Sequence, residues 1–495
     1  MRKDYLRLSA GGFASKILGV AREIALAGLF GTGRVADAYR ASLSVTLSPV
    51  HLLTSRVVQT CFVPLYARYE KDDNEAKGAA LFHSLLLSFV LLGLGLGAFL
   101  YFFAEPVIAF ILRGFDQDRT ALAARMLRIM AVGVPFYVFT SVLGALGAAR
   151  KDFVIPSVRP GAQNLSMLLC ILVAARFRRP EIAAWGFSGA YIVLSFGAAV
   201  HLLRRGLLPA RPRLHLPLVR EAGRELWTIA RPLLLLSAWV EASLLIERYV
   251  ASLLGPGRVA AVEYARFVTE TTHFLLAAPL GLLGLTYFAG LTEEETRAKA
   301  ERILALLFAG LIPFCAFLFV GGRALLALLY LRGEFGEDSL LVTDRALRGF
   351  AAGLWIFSAS FVLQRIANAR LRNHVVLRAE SIAIAVNIAF NLLLYRFLGV
   401  SVVGLGIGAA SMVSFFVYSR NLRPVGPLAK RGFLLAAAGA LPYLLLAMIL
   451  RRFTGDHPVG LVAQAPFALL FWGLWLGRSR ETRLLFRGQW ERRNQ

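Results

Sequence analysis

The sequence predicts an all-α polytopic membrane protein of about fourteen transmembrane helices, arranged as two parallel-repeat six-helix lobes plus two C-terminal helices. Three observations predict it. Apolar residues gather in runs long enough to cross a bilayer, basic residues gather in the loops between those runs, and one segment occurs twice.

The runs come first. Of the 495 residues, 57% are hydrophobic and 17% charged, against about 45–50% apolar and about 25% charged in soluble domains. The excess sits in stretches of about 20 residues, the helical length that spans a hydrocarbon core of about 30 Å. A β-barrel strand would alternate apolar and polar residues, whereas Leu85 to Phe103 is apolar on every face. The expected spans in the first lobe are 9–31, 36–64, 79–103, 122–149, 155–177 and 182–203. Those in the second are 226–254, 258–288, 298–324, 341–369, 375–397 and 399–421, followed by 431–450 and 458–477. The longest hydrophilic connection, 204–225, is rich in Pro and Arg and reads as the inter-lobe linker. It separates an N-lobe (1–215) from a C-lobe (216–424), and 425–495 holds helices 13 and 14 with a basic tail. The first run carries Lys16, Arg22 and Glu23; the uninterrupted apolar stretch of a cleavable signal peptide would not.

The loops come second. A net charge of +25 invites a nucleic-acid reading, but the basic residues lie in short connections between hydrophobic runs, where they set membrane orientation. With the N-terminus inside, about 29 Lys and Arg fall on the inner side and about 11 on the outer. Both termini are therefore expected in the cytoplasm, with no nucleic-acid partner. Cys61, Cys170 and Cys315 are scattered within apolar runs, which suits core residues rather than a disulfide framework or metal site. No cofactor is expected.

The repeat comes third. Glu23 to Ala36 reads EIALAGLFGTGRVA and Glu247 to Ala260 reads ERYVASLLGPGRVA; eight of fourteen positions match without a gap. Both copies end the first helix of a half and turn into the second. Six helices per half is an even number, so both halves enter from the same side, which predicts a parallel repeat. The Gly-x-Gly-Arg turns follow no strand, so they read as tight helix–helix turns rather than phosphate cradles.

Charge inside the bilayer marks the candidate site. An ionisable group at a helix centre costs at least about 2.5–3.5 kcal/mol and persists where it faces a protein interior or a wet cavity. Helix 1 carries Lys16, Arg22 and Glu23; helix 2 carries Asp37, Arg40, His51 and Arg56; helix 7 carries Arg231, Glu241, Glu247 and Arg248; helix 8 carries Glu263, Arg266, Glu270 and His273. The first two helices of each half thus hold the charge. Asp37, Glu263, Arg34 and Arg258 lie near helix ends, where snorkelling to the interface is the competing reading. Structural ion pairing competes at Lys16, Arg56, Arg248 and Glu241, and a satisfied buried imidazole competes with a proton relay at His273. The first lobe has a cationic surplus, and an arginine fork suits a phosphate-bearing headgroup. Glu23 and Glu247, the carboxylates shared by the two repeats, are candidate gating residues. Adjacent helical residues point about 100° apart, so each is expected to pair with another helix rather than with Arg22 or Arg248 beside it.

Ser15-Lys16-Ile17-Leu18-Gly19-Val20-Ala21-Arg22-Glu23, Phe30-Gly31, Ala36-Asp37-Ala38-Tyr39 and Phe62-Val63-Pro64 resemble the opening of the MurJ (MviN) lipid II flippases. Gly147 to Pro156 with Asn164-Leu165-Ser166, Pro232 to Ser252, and Leu331-Arg332-Gly333-Glu334-Phe335 with Ala369-Arg370 are similar to later parts of that family. The resemblance covers nearly the whole chain. It implies a flippase of the multidrug/oligosaccharidyl-lipid/polysaccharide exporter superfamily, moving an undecaprenyl-pyrophosphate-linked peptidoglycan precursor, lipid II, across the bacterial inner membrane by alternating access. It also implies cavity residues at Lys16, Arg22 and Asp37, and a groove for the lipid tail at helices 13 and 14. Two places depart from the family: Ser44 and Val50-His51 stand where it often has a Lys and an Arg-Arg pair, and Tyr264-Ala265-Arg266-Phe267 has its arginine one residue early. The candidate substrate-binding residues are Lys16, Arg22, Asp37, Arg56 and Arg266. The expected partners are a polyprenyl-pyrophosphate-linked glycan and membrane lipids, with no coupling ion specified. The alternatives are a flippase for another polyprenyl-linked polysaccharide unit and a drug/cation antiporter of the same superfamily. An enzyme is disfavoured, because no carboxylate cluster stands outside the helices and Glu293-Glu294-Glu295 reads as a solvated helix cap.

Overall fold

The computed structural model describes residues 2–54, 58, 61–209, 216–277, 288, 291–423, 425–456 and 458–479. Among them there is no strand. The chain divides into two compact units, Met1–Val259 and Ala260–Gln495.

The first unit contains α1 (Arg2–Phe30), α2 (Arg34–Leu53), α3 (Val63–Lys71), α4 (Glu75–Phe102), α5 (Ala104–Ile111), α6 (Gln117–Ala149), α7 (Val154–Phe177), α8 (Ile182–Arg204) and α9 (Leu216–Leu253). The second contains most of α10 (Arg258–Leu276), then α11 (Glu293–Tyr330), α12 (Glu337–Ala369), α13 (Asn373–Leu398), α14 (Ser401–Leu422), α15 (Pro427–Thr454) and α16 (Pro458–Gly477). Local chemistry sets several boundaries. The Asn74 side chain accepts from the Lys77 amide at 3.2 Å and Asp116 from the Arg119 amide at 2.8 Å, satisfying donors that a helix start leaves open. The acidic run at 293–295 is a cap, as expected: Thr292 and Glu295 form a reciprocal capping box at the head of α11.

Among the described residues, ten helices are long and apolar enough to cross a membrane by length and composition: α4, α6, α7, α8 and α11 to α16. The other long helices, α1, α2, α9 and α10, carry the ionisable residues singled out in the sequence apart from Arg56, which lies outside the described residues. Burial of the ten supports an internal repeat. α6 and α12, fourth in each half, are each 72% buried, and α7 and α13, fifth in each half, are each 17% buried. The packing order repeats as well, since α6 lies on α4 and α8 as α12 lies on α11 and α14. The third helices differ, with α4 28% buried and α11 67%, because α15 and α16 pack against α11.

Three boundaries differ from expectation. Residues 216–225 are not linker but the first turns of α9, which extends over 38 residues. The predicted second helix, 36–64, ends its regular part at Leu53, and a separate α3 follows. A short α5 precedes α6 within a stretch read as loop. The start of α9 and the helix α3 are missed because they carry many polar side chains, and α5, though apolar, is missed because eight residues are too short to read as a span.

Candidate functional site

Three groups of polar side chains are built into the first unit. The first joins α1, α2 and α7. Glu23 is 1% exposed. It takes Arg22 Nη2 at 2.5 Å and Arg40 Nη1 at 3.2 Å, and Arg40 Nη2 completes a two-pronged pair from α2. Arg22 Nη1 donates to Asn164 Oδ1 at 2.9 Å, and Asn164 Nδ2 donates to the Ser15 carbonyl at 3.0 Å. The inter-helix partner expected of Glu23 is thus present as Arg40. Arg22 reaches the same carboxylate despite its different direction on the helix, because a guanidinium on a four-atom stem can fold back over one turn. Lys16 is half-buried one and a half turns earlier.

The second group joins α2, α6 and the turn after α9. Asp37 is fully buried and accepts the Gly257 amide at 2.6 Å. Arg119 Nη1 lies 3.6 Å from the same oxygen; its Nε donates to Asp116 at 3.1 Å and its Nη2 to the Gly114 carbonyl at 3.2 Å. Snorkelling is therefore not what Asp37 does: it sits inside, between an arginine and a backbone donor. The two copies of the repeated turn meet here. Gly257 has φ +76°, and a Cβ there would lie 2.3 Å from the Thr32 carbonyl oxygen of the first copy. A Cβ at Gly114 would likewise lie 1.9 Å from the Ser252 carbonyl oxygen. Only glycine fits either approach. Asp116, outside the apolar span, is held below the usual carboxylate range by the Arg119 amide.

The third group lines a cavity of about 730 Å³ among α2, α6, α7, α8 and α9. Arg159 dominates it. Its guanidinium lies 4.2 Å from the Tyr137 ring centroid, and its Nε donates to the Tyr191 hydroxyl at 3.3 Å. Tyr191 in turn donates to Gln163 at 2.6 Å. His51 and Glu241, which approach to 3.9 Å, line the same cavity. A guanidinium held on two aromatic rings keeps its outer donors available to an anion. Arg159 was not among the residues expected from the sequence. Its signal is a lone arginine beside Pro160 within an apolar run.

The remaining candidates stand as follows. Arg56 lies outside the described residues. Glu247 is buried near the end of α9. Arg266 belongs to the second unit, 7% exposed, 3.7 Å from Glu263 on its own helix and over the Phe350 ring. His273 bonds Ser358 at 2.9 Å and packs against Phe357 and Phe361, a satisfied core imidazole. The first unit thus brings Arg22 and Glu23 together, and holds Asp37 in a separate cluster.

Outside the membrane segments, Lys77 Nζ reaches Glu221 at 2.9 Å and Glu225 at 2.8 Å, and the Tyr69 hydroxyl donates to Glu225 at 2.7 Å. Lys77 and Tyr69, in that order, hold the Glu225 carboxyl below its usual range. In the second unit, an apolar groove of about 610 Å³ runs between α11 and α16, lined by Pro313, Phe314, Phe317, Leu469 and Trp472 among others.

The family model described as "Lipid II flippase MurJ" matches residues 26–455. A probable lipid II flippase MurJ of Bdellovibrio bacteriovorus is 27% identical over 458 residues, covering 88% of this chain and 84% of the relative. One of Thermotoga maritima is 22% identical, with 92% of both chains covered. Among solved structures, "Lipid II flippase MurJ, inward closed conformation" superposes with a TM-score of 0.82 at 17% identity, over 94% of this chain and 97% of that one. An inward-facing multidrug resistance MATE family transporter of the MOP superfamily superposes at 0.65 and 16% identity, over 89% of this chain and 98% of that one. At these identities both are likenesses of fold.

Proposed function

The chain belongs to the MurJ family of lipid II flippases, and from that membership we propose how its residues serve the transport of lipid II. The protein is a multi-pass protein of the bacterial inner membrane that flips a polyprenyl-linked peptidoglycan precursor. We take α1, α2, α9 and α10 as spanning with the ten apolar helices, which gives fourteen, and we take the lobes as 1–215 and 216–424 with 425–495 appended. Both termini lie in the cytoplasm in this reading, supported by the loop charge bias and by the basic residues beside Glu221 and Glu225.

Arg159 in its cavity is the observation that carries the site. The pyrophosphate carries the charge that a membrane interior excludes, and an arginine fork pairs with phosphate oxygens bidentately. The family's helix 2 arginines are replaced here by Val50 and His51, and Arg159 supplies a cation to the cavity that His51 lines. Lys16, Arg22 and Arg56 contribute cationic contacts once the lobes rearrange. Arg22 and Arg40 share the single Glu23 carboxylate in this conformation, which leaves one positive charge over, so substrate phosphate and Glu23 compete for them. Asp37 acts with Arg119 and Gly257 at the turn after α9, and Arg266 is a second-lobe contact. Glu23 and Glu247 bias the equilibrium between the two access states. The groove between α11 and α16 suits the polyprenyl tail, since it is walled by aromatic and aliphatic side chains. The experiment is complementation: the chain is expressed in a strain depleted of its lipid II flippase, and lipid II exposed on the outer leaflet is measured. Growth with restored surface lipid II is expected; an inserted, full-length protein that restores neither would overturn the assignment.

A further inference from the structure

We infer that the second unit carries a binding site for a phosphate-bearing anion, apart from the translocation cavity, and that an anionic lipid headgroup fills it. The site is a pocket of about 270 Å³ at the ends of α11, α12 and α14, lined by Arg297, Arg370, Arg372, Arg420 and Arg423 with one carboxylate, Glu293. Arg372 is paired with Glu293 and donates to the Asn421 carbonyl at 2.9 Å, and Arg370 donates to the Leu291 carbonyl at 2.6 Å. These two are the fixed wall. Arg297, Arg420 and Arg423 are exposed, and they make no side-chain hydrogen bond or ion pair among the described residues.

The turn itself does not require this charge, as the first unit shows. There Arg150 donates to the Leu207 carbonyl at 2.6 Å just after α8, as Arg372 does to the Asn421 carbonyl at the end of α14, and Lys151 has φ +62°, as Leu371 has +54°. The scaffold is the same. In the first unit, however, Arg150 is matched by Glu70 at 2.6 Å and the next position is Asp152, paired with His201 at 3.0 Å. Where the first unit has Asp152, the second has Arg372. Like charges so close repel, and an anion relieves that repulsion. The guanidinium fork matches phosphate oxygens two at a time. Arg423 also has a left-handed backbone, φ +49°, a conformation that non-glycine residues hold only where the surroundings impose it. A headgroup is favoured over a soluble anion because Leu371, at the tip of the turn between Arg370 and Arg372, is 81% exposed. An arginine cluster with a protruding aliphatic residue suits the headgroup–acyl boundary.

The test uses the purified full chain in nanodiscs of phosphatidylcholine, alone or doped with phosphatidylglycerol. A second arm titrates inorganic phosphate. Melting temperature and lipid retained in native mass spectrometry are read for wild type, for the triple variant Arg297→Gln, Arg420→Gln, Arg423→Gln, and for a charge-matched control, Arg204→Gln, Arg205→Gln, Arg452→Gln. The three pocket arginines are exposed and make no side-chain hydrogen bond or ion pair among the described residues, so the triple variant is expected to keep its fold. Phosphatidylglycerol is expected to raise the melting temperature of wild type and control. In the triple variant its half-saturating amount is expected to rise at least about tenfold. A shift produced by inorganic phosphate and abolished in the triple variant, with no added effect of phosphatidylglycerol, keeps the anion site and replaces the headgroup by a soluble phosphate. Identical responses of wild type and triple variant in both arms overturn the site.

Discussion

The Asp37 carboxylate accepts the backbone amide of Gly257 at 2.6 Å, across 220 residues of sequence. The acid follows the first copy of the repeated turn, and the glycine belongs to the second. Arg119 stands 3.6 Å from the same oxygen. Asp37→Asn keeps an acceptor for Gly257 but strands the guanidinium. Breaking a buried pair costs about 3–5 kcal/mol, and Asp116 and the Gly114 carbonyl still hold Arg119, so the expected loss is nearer about 1–3 kcal/mol. Thermal unfolding of Asp37→Asn, Arg119→Gln and the double variant measures it. Additive effects would remove the coupling.

A second prediction concerns pH. Hydrogen bonds from Lys77 and Tyr69 depress the Glu225 carboxyl. A depressed acid contributes stability that is present above its unfolded pKa, about 4.3, and lost as pH falls through the folded value. Wild type is therefore expected to lose melting temperature more steeply than Glu225→Gln on acidification below about pH 5. Parallel curves would show that Lys77 gains nothing from this carboxylate.

Arg159 tests the cavity. Arg159→Gln is expected to lower flipping at least about tenfold with normal membrane insertion, since a charge-assisted bond to substrate contributes about 1.5–3 kcal/mol. Tyr191→Phe removes only the hydroxyl between Arg159 and Gln163, and about a two- to tenfold loss is expected. Surface labelling of lipid II reads both. Wild-type flux in Arg159→Gln would dismiss the residue.

Glu23→Gln separates a gate from a static pair. Either role leaves Arg22 and Arg40 poorly compensated. A gating role further predicts increased reactivity of a cysteine at Thr32, which the Gly257 turn now covers. A lowered melting temperature with unchanged Thr32→Cys labelling leaves only the structural role, and Glu247→Gln provides the matching measurement on the other repeat.

Much of the fold is legible in the sequence because the bilayer enforces it. Apolar runs gave the ends of α7, α8 and α16 almost to the residue, and charge picked out α1, α2, α9 and α10. The site was less legible. Arg119 lies in a stretch that reads as loop, and its partner Asp37 is more than eighty residues away, so no local pattern links them. Arg159 looks isolated until α6 and α8 bring Tyr137 and Tyr191 beside it. The helical start of α9 was missed because Glu221 and Glu225 look like linker until Lys77 pairs with them.

The wiring of α1 also sets an order for synthesis. Arg22 is satisfied in part by Asn164, 142 residues later. At about 5–20 residues per second, the ribosome needs roughly 7–30 s to deliver that asparagine. Arg40, only 17 residues after Glu23, arrives almost at once. The nascent chain therefore has a partner for its buried acid as soon as α2 emerges, and α1 and α2 enter the membrane with Glu23 already paired to Arg40, while Arg22 waits for Asn164 on α7.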